Sequence, residues 1–126
     1  MRRAHAVVTG LMAATIILAV MTSAAWAQKP VQGKASGKLS MFLAQDVGSG
    51  YGAPDDRVDG EVVIRLDTQP QKAFGFQLRN DNYLPARRAM LDLLRDAFEH
   101  NWTVVIEYDM IPGKNAGVIW RIFLVK

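Results

Sequence analysis

The sequence predicts a β-rich α+β domain: a small barrel of about five strands with one amphipathic helix inserted after the second strand of a hairpin. Three observations predict it. Two alternating apolar/polar runs, 58–67 and 73–79, are joined by five polar residues, TQPQK, which is the pattern of a β-hairpin. A one-sided helical run begins at Leu84. Two further runs of strand character, 103–109 and 118–126, close the chain. A helix apolar on one face needs a surface to lie on, and the strands on either side of it supply one.

Ahead of these elements the chain opens MRRAHAVVTGLMAATIILAVMTSAAWAQK. Arg2 and Arg3 form a positive start, an apolar run extends from Val7 to Met21, and Ala25-Trp26-Ala27 fits the small-x-small cleavage rule. This is the pattern of a secretory signal peptide over residues 1–27, with cleavage expected between Ala27 and Gln28. An uncleaved membrane anchor is the competing reading, because the apolar run is almost long enough to cross a bilayer. The small residues at its end favour cleavage. A secreted or periplasmic protein with no membrane attachment after processing is then expected. Removing Arg2 and Arg3 leaves thirteen basic against twelve acidic residues, a net charge of +1 over ninety-nine residues. That length suits one small domain with one core. Basic residues cluster only at Arg87-Arg88, so nucleic-acid binding has no electrostatic footprint. Cysteine is absent, which removes thiolate nucleophiles, zinc-thiolate sites and disulfides. Stability must then come from apolar burial or from oligomerisation.

Residues 28–38, QKPVQGKASGK, show no apolar period and are expected to form a flexible arm, leaving 39–126 as the single domain. The apolar island 39–47 suits a short strand, with a helical turn as the alternative. Residues 48–56, GSGYGAPDD, are rich in Gly with one Pro and must be a loop. Tyr51 within it is either a stacking platform for a ligand or, more in keeping with how aromatics bury area, a lid folded over the core. In the hairpin, Val62, Ile64 and Leu66 face one way, and Phe74, Phe76 and Leu78 supply the matching face. Gly75 on the outer side implies close approach by another backbone, or a bend.

The helix carries Ala86, Ala89, Met90, Leu93, Leu94, Ala97 and Phe98 at steps of three and four, with Arg87, Arg88, Asp92, Arg95, Asp96 and Glu99 opposite. Leu91 breaks the pattern. Pro85 suits the first helical turn, and His100 with Asn101 suits its end. Arg88 with Asp92 and Arg95 with Glu99 are spaced for i,i+4 pairs. In the next run, Val104, Ile106 and Tyr108 share a face, and Pro112-Gly113 marks a turn. The last run is apolar on both sides: Val118, Trp120, Ile122 and Leu124 on one, Ile119, Phe123 and Val125 on the other. A strand apolar on both faces is covered on both. The second cover is expected to be either residues 39–47 or a neighbouring subunit.

The chemistry available is sparse. His100 is the only histidine after residue 27, and the serines available to it are Ser36, Ser40 and Ser49. A helix-capping role fits it better than a catalytic one, which needs a serine and an orienting carboxylate in contact. Asp55, Asp56 and Asp59 offer oxygen ligands for calcium, but acidic loops are more often solvated and no EF-hand pattern accompanies them. No catalytic constellation can be assembled. The expected protein is not an enzyme, has no catalytic or metal residues and needs no cofactor. Its ligand-binding residues are not identifiable from sequence.

The order strand, strand, helix, strand, strand fits a small OB-like barrel. The hairpin GEVVIRLDTQPQKAFGFQL, the helix ARRAMLDLLRDAFEHN, and VVIEY with a turn and then VIWRIFLV together resemble the binding (B) subunits of AB-type bacterial toxins, over residues 60–126. Those subunits usually carry a disulfide, which this chain lacks, and no glycan-binding motif transfers residue by residue. The resemblance implies an exported, ring-forming binding protein, a homo-oligomer with a glycan or protein partner. The alternative is a stand-alone periplasmic structural or stress protein with the same barrel and no dedicated ligand.

Overall fold

The computed structural model describes residues 30–126; the expected signal sequence, with cleavage expected between Ala27 and Gln28, lies outside them. Five strands and one helix occur in the order β1 (Val31–Ala44), β2 (Val62–Leu66), β3 (Gln69–Phe76), α1 (Leu84–His100), β4 (Thr103–Met110) and β5 (Gly117–Leu124). The sheet closes on itself as β1-β2-β3-β5-β4. Every neighbouring pair is antiparallel except β3 and β5, which run parallel and meet only at Phe74↔Gly117 and Gly75↔Val118. This is the expected β-rich OB-like barrel, with its helix after the second hairpin strand.

The arm expected over 28–38 is not an arm where the structure describes it. From Val31 it is the first half of the longest strand, paired with β4 without interruption from Val31↔Met110 to Lys38↔Thr103. The alternation is present but written in small residues. Gly33, Ala35 and Gly37 turn inward while Gln32, Lys34, Ser36 and Lys38 face solvent. Gly33 is required because β4 fills the space with Tyr108, a buried ring 4.7 Å from that of Phe74, and Gly37 because a Cβ there would fall 2.6 Å from Asp67 Oδ1 and 2.7 Å from Thr68 Oγ1. After a register shift between Leu39 and Met41, the second half of β1 pairs with β2, from Phe42↔Ile64 to Ala44↔Val62. Residues 39–44 are therefore a barrel strand and not a flap over β5.

The hairpin is tighter than its composition suggests. β2 and β3 turn through Asp67 and Thr68, so Pro70 lies inside β3. Proline is tolerated at sheet edges and irregularities. β3 has no β5 partner before Phe74, and the ladder to β2 shifts register between Ile64 and Leu66. β3 also ends early, at Phe76. The backbone N–H of Leu78 donates to Glu61 Oε2 at 3.2 Å, and Arg79 bridges Glu61 (3.0 Å) and Asp59 (2.6 Å). Glu61 is buried, so its hydrogen bond raises the Arg79 guanidinium pKa above its ordinary value; desolvation opposes this and the Asp59 charge adds to it. These bonds turn the chain out of the sheet towards α1.

The principal core combines Val62, Ile64, Leu66, Phe74 and Phe76 of the hairpin with Val104, Ile106 and Tyr108 of β4, Ile119 and Ile122 of β5, and Leu94 and Ala97 of α1. The helix is rolled relative to the face expected. Its buried stripe is Leu94 and Ala97, with Leu84, Met90, Leu91 and Leu93 half-buried, while Ala86, Ala89 and Phe98 are exposed. Leu91, the apparent exception, belongs to the packed face, and Phe98 does not. Alanines fit either environment, so Ala86 and Ala89 draw the expected face to the wrong side. The i,i+4 ion pairs do not form either; Arg95 bonds Asp92 at 2.7 Å, one residue closer. Asn101 takes the left-handed conformation at the end of the helix, and Trp102 N–H donates to Ala97 O at 2.9 Å.

A bulge explains the doubly apolar last strand. Glu107 pairs with Arg121, and Tyr108 with Ile119, so Trp120 is an extra residue. A bulge reverses the facing of the residues beyond it. Ile119 therefore points inward with Ile122, and the outward apolar residues are Val118, Trp120, Phe123 and Val125. No helix among the described residues is long and apolar enough to cross a membrane.

Candidate functional site

The loops leaving β1 and β4 meet at one end of the barrel, and a hollow of about 880 Å³ opens between them. Its lining combines apolar Val31, Met110, Ile111 and Pro112 with polar Asp55, Asp56, Lys114 and Asn115, and with Gly113. Concave sites with an apolar wall and a few placed polar groups are the usual form of ligand pockets. In OB barrels oligonucleotides and oligosaccharides bind on the face of strands 2 and 3 together with the β1–β2 and β4–β5 loops; the hollow involves the two loops.

Side-chain bonds running in opposite directions tie the two loops together. Asp56 Oδ1 accepts from the backbone N–H of Asn115 at 2.7 Å and of Ala116 at 3.2 Å. Lys114 Nζ donates to Arg57 O at 3.0 Å. Gly113, with φ +74°, supplies the left-handed turn signalled by Pro112-Gly113. Asp55 is an exposed residue of the lining beside these anchors.

Under the β1–β2 loop lies a second apolar cluster outside the barrel. Val58, Val63 and Ala116 are buried there, with Met41, Leu43, Tyr51 and Ala73 packed against them. Tyr51 pairs with Val58 in an isolated bridge, donates from Oη to Met41 Sδ at 3.4 Å and carries Arg65 over its ring. Of its two readings, the structure takes the lid. Gly75 is where another chain segment comes close: a Cβ there would lie 2.8 Å from Val62 O and 2.9 Å from Val58 Cγ1.

The other residues singled out from sequence are dispersed. Asp56 is committed to the β4–β5 loop and Asp59 to Arg79. Among the described residues no group of three or more His, Asp or Glu side chains is placed to hold a metal ion. His100 Nδ1 lies 2.9 Å from Asp96 O, and its ring stacks on Trp102 at 4.6 Å; this is a position at the helix end, with no serine among its hydrogen-bond partners. Sequence reasoning notes Asp55, Asp56 and the Pro112-Gly113 turn separately. It misses the hollow because Asp56 and Asn115, fifty-nine positions apart, carry no mark of their pairing.

A smaller hollow of about 300 Å³ lies on the outer face of the sheet, lined by Gln32, Gly33, Lys34, Glu107, Trp120 and Arg121. Lys34, Glu107 and Arg121 stand side by side on β1, β4 and β5. Arg121 Nη1 is 2.9 Å from Glu107 Oε2, an ion pair without hydrogen-bond geometry. Arg121 and Lys34 also cover the rings of Trp120 and Phe123, at 4.6 and 5.3 Å.

No family model and no curated protein matches the sequence. Solved structures do. A human heat-labile enterotoxin in complex with a blood group A antigen analog is 16% identical, with a TM-score of 0.54, over 75% of this chain and 86% of that one. The chain shares the fold of heat-labile enterotoxin. A porcine heat-labile enterotoxin variant in complex with an inhibitor is 14% identical over the same shares, with a TM-score of 0.53. The resemblance to toxin binding subunits read from the sequence holds at the level of the fold.

Proposed function

We propose that this chain is an exported, non-enzymatic binding protein that takes a glycan or a protein ligand in the hollow between the β1–β2 and β4–β5 loops and assembles into a ring. One observation supports the binding reading: the 880 Å³ hollow, with mixed apolar and polar lining, lies between the two loops that, with the face of strands 2 and 3, receive ligands in this barrel type. The blood group A antigen analog bound by the human enterotoxin puts saccharides first among ligands to try.

The assembly reading rests on the weakest seam of the barrel. β3 and β5 pair through two residue pairs only, so β3 before Phe74 and β5 beyond Val118 have no strand partner across that seam among the described residues. Open edges invite pairing with another chain, and heterologous contacts close into rings when the rotation permits. Val118, Trp120 and Val125 are exposed beside that edge. With residues 39–44 committed to the barrel, the cover within the chain that the sequence offered is gone, which favours a neighbouring subunit over these side chains.

An immobilised glycan screen with the purified protein tests the binding reading, with Asn115→Trp as the blocked control. The large side chain fills the hollow while leaving the Asn115 backbone bond to Asp56 in place. Binding by the unmodified protein and its loss in the variant, at unchanged melting temperature, is the expected result. Binding that survives the substitution excludes the hollow as the site.

A further inference from the structure

We infer that the hollow selects neutral, hydroxyl-rich saccharides over acidic ones and that Asp55 sets this selection. The inference rests on the proposed binding role and narrows its ligand. Its ground is which charges around the hollow are already engaged. Asp56 spends Oδ1 on two backbone N–H groups of the opposite loop. Lys114 spends one donor on Arg57 O. Asp55, an exposed residue of the hollow's lining, has no hydrogen-bonding or ion-pairing partner among the described residues, so its carboxylate is the acceptor left unspent there. Two carboxylates against one ammonium leave the lining with a net charge of −1.

An ionised carboxylate only accepts hydrogen bonds. Sugar hydroxyls donate them, and such charge-assisted bonds are the strong ones. A carboxylate on the ligand would meet Asp55 and Asp56 as like charges, and like-charge juxtaposition is how interfaces reject a partner. The Asn115 side-chain amide and the remaining Lys114 N–H groups are available to the ring and hydroxyl oxygens of the same sugar. Ile111 and Pro112 offer an apolar wall for the sugar's C–H face. Asp56 acts as a positioning residue, because its bonds hold the loop bearing Asn115 and Lys114 in place.

Calorimetric titration of the purified protein tests this with two probe sets: methyl galactoside, methyl glucoside and N-acetylgalactosamine as neutral sugars, and methyl glucuronide and N-acetylneuraminic acid as acidic ones. At least one neutral probe should bind about tenfold more tightly than every acidic probe, the discrimination that one or two polar contacts supply. Asp55→Asn should weaken the neutral probe, and Asp55→Lys should reverse the preference, both without moving the melting temperature. Acidic probes that bind as tightly as neutral ones, or a preference unchanged in Asp55→Lys, overturn the inference and leave the binding reading standing. If no probe of either set binds, the saccharide reading itself fails and takes the inference with it.

Discussion

Gly33 of β1 stands directly opposite Tyr108 of β4, and a Cβ built on Gly33 would fall 2.5 Å from Tyr108 Cζ. Gly117 of β5 makes the same allowance on the other side, where a Cβ would lie 2.6 Å from Tyr108 Cδ2. One tyrosine ring thus occupies room that two glycines leave open, and β1 can close the barrel only because it is thin there. Gly33→Ala is therefore expected to destabilise the fold by about 1–3 kcal/mol, the usual cost of overpacking. In a urea-denaturation cycle the loss should shrink when Tyr108→Leu is present, since residues in contact are not additive.

On α1, Leu94→Ala is expected to cost about 2–5 kcal/mol, because Leu94 is wholly buried and its removal leaves a cavity. Phe98→Ala should cost about 1 kcal/mol or less, since Phe98 is 51% exposed and its aromatic neighbour is Phe42 at 5.8 Å. Melting curves for the two variants decide between the packed face seen in the structure and the one its alanine spacing suggests.

The elements legible in the sequence are those whose apolar residues are large. Val62, Ile64 and Leu66, then Phe74 and Phe76, state their face without ambiguity, and so do Val104, Ile106 and Tyr108. β1 is hidden because its inward positions are glycine and alanine, which carry no apolar signal; Gly33 answers to the ring of Tyr108, some seventy positions away, and Gly37 to the Asp67–Thr68 turn. The phase of β5 is hidden by a single bulged residue, Trp120, and the roll of α1 by alanines that suit either environment. Of the candidate site, the parts are visible but not their meeting: the carboxylates and the Pro-Gly turn come together only once the barrel has closed.

Glu61→Ala is expected to destabilise the protein by roughly 1–3 kcal/mol, the cost of leaving a buried donor unpaired. Glu61 is 5% exposed, and its carboxylate receives both the Leu78 N–H and Arg79 Nε. Chemical denaturation with tryptophan fluorescence as the probe measures the loss directly.

Asp56→Ala should free the amides of Asn115 and Ala116, which its carboxylate now holds at 2.7 and 3.2 Å. Amide hydrogen exchange at those two positions should accelerate by about tenfold or more, as expected for a loop that has lost its anchors, while Val104 and Ile106 keep their protection. Equal exchange in both proteins would show that the two loops hold the hollow's shape without this carboxylate.

For assembly, light scattering of the unmodified protein is expected to give a mass several times that of one chain. Phe123→Glu should yield folded monomers, since Phe123 sits on the outer face beside the open edge of β5. A monomeric unmodified protein at high concentration would remove the ring from the account.

A map of backbone amide resonances during titration with a saccharide recovered from the glycan screen tests directly whether the two joined loops form the ligand site. Shifts are expected at Asp55, Asp56, Ile111, Lys114 and Asn115, which lie in the lining of the hollow, with α1 and the outer face of β5 unmoved. Shifts centred on Lys34, Trp120 and Arg121 instead, or none in either loop at saturation, would contradict a site there.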